Sequence, residues 1–134
     1  MIFLRHTAFA FALTAATFGT TAAQAASEFP FGTEMTLDAA PQPGSKKIPT
    51  LEIGESGEAV LDLLCKSGKG QFSVANDTVI FVPGAMVDRG CTPARAQADD
   101  ALVASLSDAA TWKRQGDFVS FVGAKTLRFR LNTN

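Results

Sequence analysis

Phe72-Ser73-Val74-Ala75-Asn76-Asp77-Thr78-Val79-Ile80-Phe81-Val82 carries the pattern of an antiparallel hairpin. Phe72 and Val74 alternate with small or polar neighbours, and Asn76-Asp77 supplies a tight turn. Thr78 to Val82 is the most β-prone run in the chain, because branched and aromatic side chains pack well on a pleated surface. Gly68 and Gly70 predict a bend before this hairpin, and Pro83-Gly84 predicts its end.

Toward the N-terminus, Glu58 to Leu64 reads as a strand running into Cys65. The turn Gly54-Glu55-Ser56-Gly57 pairs it with Leu51-Glu52-Ile53. The segment Ala40-Pro41-Gln42-Pro43-Gly44-Ser45 is a loop, and Thr33 to Leu37 is a first strand. Toward the C-terminus, Thr92-Pro93 predicts a helix start, with Thr capping the free amides and Pro at the first helical position. The helix should reach about Ala109. Ala98, Leu102, Val103, Leu106 and Ala110 share one face, and Arg95, Asp99 and Asp100 lie off it. Asp117–Val122 and Lys125–Leu131 form a last hairpin around Gly123-Ala124, with Leu127, Phe129 and Leu131 facing one way and Thr126, Arg128 and Arg130 the other.

These elements predict a mainly β (α+β) fold. Six to seven strands form an antiparallel curled sheet or small barrel, with one amphipathic helix before the last hairpin closing one end. Phe72, Phe81, Phe118, Phe121 and Phe129 are its expected core.

The first 25 residues stand apart. Arg5 and His6 open on a positive charge, Thr7 to Phe18 is apolar with no acidic residue, and Ala23-Gln24-Ala25 ends on small side chains. This is the anatomy of a secretory signal peptide cut between Ala25 and Ala26. A membrane span needs about 20 continuous apolar residues, and Thr14, Thr17, Thr20 and Thr21 interrupt this run. With no Cys beside the cleavage site, the expected product is not a lipoprotein. It is periplasmic or secreted, with no stable membrane insertion after cleavage. Residues 26–32 read as a flexible lead-in and 33–134 as the single domain.

Of the 12 Lys and Arg, only Arg5 lies in the signal segment, leaving 11 against 13 Asp and Glu. That balance offers no field for nucleic acid or an anionic membrane, and Arg128 with Arg130 are too few for a nucleic-acid patch. An exported chain with two Cys predicts a disulfide between Cys65 and Cys91, the alternative being two buried free thiols.

The only His is His6, within the signal segment, and there is no Tyr. The mature chain therefore lacks a Ser-His or Cys-His dyad and a His metal ligand. Asp99 and Asp100 are adjacent, so their side chains diverge, and both read as a solvated helix face. Ser67 and Lys69 sit close, but a Ser/Lys dyad needs a desolvated Lys. Asn76-Asp77-Thr78 matches a glycosylation acceptor, a common pattern by chance. No catalytic residue, cofactor or metal is expected.

The order of features resembles the META domain of HslJ-type proteins over about residues 33–131. Pro49-Thr50-Leu51-Glu52-Ile53 followed by Ser56-Gly57 is similar to that family's strand and turn. Cys65 with Gly70 and Phe72, then Ala85-Met86 leading to Cys91, is similar to its two cysteine segments. Leu102, Leu106 and Leu127-Arg128-Phe129 complete the order. Lys66 stands where the family usually has Asn, Leu64 where Gly precedes the Cys, Val87 where Thr is expected, and Met35 where the first strand often carries Trp. The resemblance implies a compact β-rich domain in or outside the cell envelope, associated with stress and with tolerance of toxic compounds, and with no established catalytic residue.

The expected function is thus that of an exported, non-catalytic monomer. It would bind an envelope protein or a small apolar ligand in stress or toxic-compound tolerance. The alternative is a secreted or periplasmic inhibitor of a protease or lysozyme, with the Pro41–Lys47 loop entering a target cleft.

Overall fold

The computed structural model describes residues 29–133. Ala25 and Ala26, and with them the signal segment and the first three residues of the lead-in, lie outside the described residues. The strands are β1 (Thr33–Leu37), β2 (Thr50–Ile53), β3 (Glu58–Asp62), β4 (Lys66–Ala75) and β5 (Thr78–Asp88). After helix α1 (Pro93–Asp108) come β6 (Thr111–Gln115), β7 (Phe118–Val122) and β8 (Thr126–Leu131).

All neighbours pair antiparallel in chain order, and β8 returns to β1 through Met35 opposite Leu131 and Leu37 opposite Phe129. The result is a closed eight-stranded barrel, which leaves few free strand edges. One seam is thin. β5 and β6 share the single register pair Thr78 opposite Thr111, reinforced where Val79 N–H donates to the Ala110 carbonyl and Trp112 N–H to that of Asp77. α1, inserted at this seam, packs against β5 and β8.

Period-two alternation sets what lies inside. Val119 and Phe121 of β7, and Phe129 and Leu131 of β8, point inward, joining Met35, Leu51, Ile53, Leu61, Phe72 and Phe81. These side chains fill the barrel, and each fully buried large apolar group contributes ~1.5–3 kcal/mol.

Several expectations need correction. There are eight strands, because Thr111–Gln115 also pairs; its three consecutive polar residues hide it in the sequence. Gly68 and Gly70 lie within β4, and β5 runs on through Pro83-Gly84 to Asp88. Phe118 is only half-buried on the outer face, where the Arg128 guanidinium sits 3.8 Å from its ring centroid. Phe29, assigned to a flexible lead-in, is buried at one barrel end with its ring 5.1 Å from Trp112 and 6.0 Å from Phe72. On α1 the buried residues are Asp99, Leu102 and Leu106; Ala109 just beyond is buried while Ala110 is exposed. Thr92 occupies the N-cap with extended backbone, but its side chain makes no capping bond.

Candidate functional site

Two features meet where β3, β4 and β5 run side by side near Cys65. The first is a groove on the outer face. Between Gly68 and Gly70 the pairing partners on β5 step from Met86 to Pro83, so β5 carries one extra residue and bulges. Glycine is required where the strands close up, since a Cβ on Gly84 would stand 2.8 Å from the Lys69 carbonyl oxygen. Bare backbone at Gly68 and a small side chain at Ala85 leave an open depression of about 530 Å³.

Register builds its walls. Val60 lies opposite Lys69, and the next row along the same face is Asp62, Ser67 and Val87. Val60 and Val87 remain 45% and 62% exposed, so two branched apolar side chains face water across the depression. Arg89 completes the lining.

The charges are not equivalent. Asp62 Oδ1 accepts from Lys47 Nζ at 2.7 Å and from Arg89 Nη2 at 2.7 Å. The Lys47 hydrogen bond, aided by that of Arg89, holds the Asp62 carboxyl below its ordinary value of 3.8 against a smaller opposing effect of burial. Arg89 Nε also donates to the Cys65 carbonyl at 3.2 Å. Lys69 is exposed and makes no ion pair among the described residues.

The second feature is a clamp beneath the groove's end. Cys65 and Cys91 form a disulfide with Cα atoms 5.3 Å apart. Asp99, fully buried, accepts three successive backbone N–H groups: Leu64 at 2.9 Å, Cys65 at 2.6 Å and Lys66 at 2.7 Å. Consecutive amides converging on a carboxylate satisfy both it and a connection that has no other strand to bond. Lys66 Nζ reaches Asp100 Oδ1 at 2.6 Å, and that bond raises the Lys66 ammonium above its ordinary value of 10.5.

The reading of Asp99 and Asp100 as a solvated pair is therefore half wrong. The two diverge as adjacency requires, but one turns inward. No local pattern reveals this, because the partners of Asp99 lie 33 to 35 residues away. Ser67 and Lys69 are brought onto one strand face, and the exposure of Lys69 is the opposite of what a Ser/Lys dyad needs. The Pro41–Lys47 loop is pinned at two points, by the Lys47–Asp62 ion pair and by Arg95 Nη2 donating to the Gly44 carbonyl at 3.1 Å. Asn76-Asp77-Thr78 lies exposed at the β4–β5 turn. Arg128 and Arg130 point outward, Arg128 pairing with Asp38 at 3.3 Å. Among the described residues no group of three or more His, Cys, Asp or Glu is placed to hold a metal, and no helix is long and apolar enough to cross a membrane.

Comparison with known proteins agrees with this geometry. The model of one family, the META domain, matches residues 31–132. No curated protein matches in sequence. An NMR structure of a protein from Burkholderia xenovorans is similar at 18% identity and TM-score 0.61, covering 98% of this chain and 100% of that one. A second NMR structure is similar at 15% identity and TM-score 0.57, covering 75% of this chain and 89% of the other. Likeness at these identities concerns the fold.

Proposed function

The chain belongs to the META-domain family, and from that premise we propose that it is an exported, non-catalytic binding protein of the cell envelope that supports tolerance of stress or toxic compounds through its outer groove. The observation that carries this reading is the groove itself: two exposed valines and an unpaired Lys69 on rigid, paired strands. Exposed branched side chains grouped around a depression suit a docking surface better than a solvated wall. Chemistry by proton transfer is poorly served, since the sequence has one His, at position 6, and no Tyr. The signal-like segment before Ala26 supports export.

The test is genetic. A strain lacking the gene should lose tolerance of heat or envelope-active compounds, the wild-type gene should restore it, and Val87→Asp should not. A Val87→Asp protein that accumulates normally and restores full tolerance would refute the groove as the working surface. Wild-type tolerance in the deleted strain would refute the role.

The inhibitor reading keeps one specific support. The Pro41–Lys47 loop presents exposed Pro41 and Pro43 while tied to β3 and α1, which is the preorganisation a cleft-inserting loop requires. Purified protein that fails to slow representative proteases and lysozyme would remove it.

A further inference from the structure

We infer that the outer groove binds anionic amphiphiles, molecules with a carboxylate-like head on an aliphatic chain; this rests on the proposed binding role and specifies its ligand. The groove has two chemistries in fixed relation. Val60 on β3 and Val87 on β5, with Ala85 also on β5, offer an apolar strip open to water. An aliphatic chain laid on that strip removes apolar surface from both partners.

Lys69 stands directly opposite Val60 in the register, at the edge of the same strip. Its ammonium has no ion-pair partner among the described residues, whereas Lys47 and Arg89 are both engaged by Asp62. The groove lining carries two cations, Lys69 and Arg89, against the single carboxylate of Asp62, with Glu52 of β2 on the far side of Val60. A negative head beside Lys69 would complete the one unmatched charge while its chain covers the valines. A neutral chain satisfies only half of this arrangement, and a small anion the other half.

Among the described residues the barrel interior is occupied by inward side chains such as Phe72, Phe121 and Phe129, which leaves the outer face as the place for such a chain. The depression, about 530 Å³, is also within the usual range for small-molecule sites.

The experiment is a titration of the oxidised protein followed by amide NMR, with decanoate, octanoate, octyl glucoside and acetate as probes. Decanoate should shift the amides of 68–70 and 84–87 saturably and bind more tightly than octanoate, by up to about fourfold per methylene. Acetate should produce no saturable shift. Lys69→Gln should weaken decanoate about tenfold and leave octyl glucoside unchanged. A paired Val60→Ser, Val87→Ser variant should weaken both. All three positions are exposed, so amide dispersion should show each variant folded.

Equal affinity for octyl glucoside and decanoate, indifference to Lys69→Gln, shifts centred elsewhere, or no shift at all would each overturn the inference. Failure here, with Val87→Asp still unable to restore tolerance, would discard the ligand class and keep the groove as a binding surface. Decanoate binding with a fully tolerant Val87→Asp strain would keep the site and discard the proposed role.

Discussion

The two ends of β4 hold the barrel together by different means. Near Ala75 the molecule is closed by rings: Phe29, Phe72, Trp112 and Phe121 pack within 6.4 Å of one another along their contacts with Phe29, and the Trp112 indole N–H donates to the Asn76 carbonyl at 2.7 Å. Near Lys66 it is closed by a covalent bond and a buried carboxylate. The aromatic end uses non-directional burial, which tolerates small shifts; the Cys65 end uses directed bonds, which fix one geometry. It is the directed end that carries the groove. A binding surface made largely of strand backbone and small side chains depends on the strands staying in register.

Four changes would break or sharpen that contrast. Phe121→Ala should cost the most, about 3–5 kcal/mol in denaturant unfolding, because it empties the middle of the aromatic cluster. Removing the disulfide by paired Cys65→Ala and Cys91→Ala should cost about 3–4 kcal/mol through the freed denatured chain, for a separation of 26 residues. The contrast predicts that amide shifts after disulfide removal concentrate around 64–70 and 84–91, leaving Trp112 fluorescence nearly unchanged. Asp99→Asn should cost about 2–3 kcal/mol, since its NH2 must replace either the oxygen that accepts from Leu64 or the one that accepts from Cys65 and Lys66, setting donor against donor; hydrogen exchange within Leu64–Lys66 should accelerate well beyond the global change.

The smallest effect concerns Asp62. Its folded value lies below 3.8, so its contribution is present above that pH and is lost as pH falls below about 4 through the folded value. The pair is half exposed, so the loss should be slight, weakened further by salt, and absent in Asp62→Asn. A large salt-insensitive loss would mean that the network is tighter than its exposure implies.

Much of this was legible in the sequence, and the misses share a cause. The helix showed through Thr92-Pro93, and the β7–β8 hairpin through the strict alternation of Leu127, Phe129 and Leu131. The β2–β3 hairpin followed from its glycine turn. What failed was whatever tertiary structure overrides locally. Pro83-Gly84 ends an isolated strand, but here a bulge absorbs it, so the breaker became the groove's origin. Asp99 looked like half of a surface pair because its three partners come from a distant connection. Phe29 looked like a leader residue because nothing local says that a barrel end needs a lid. Nothing marked Val60 as a groove residue, and Val87 stood out only as a departure from the family's Thr, since a strand valine inside and one outside read alike.

The order of the strands around the barrel bears on how the chain finds its shape. Every pairing but one joins segments that follow each other along the chain, and even the seam beside α1 separates β5 from β6 by only a helix. The exception ties Met35 to Leu131. Contact order is therefore low for an all-round β architecture, and the entropy of joining distant ends is concentrated in a single event. Hairpins can assemble where they are made, leaving the meeting of the first and last strands as the step that commits the molecule.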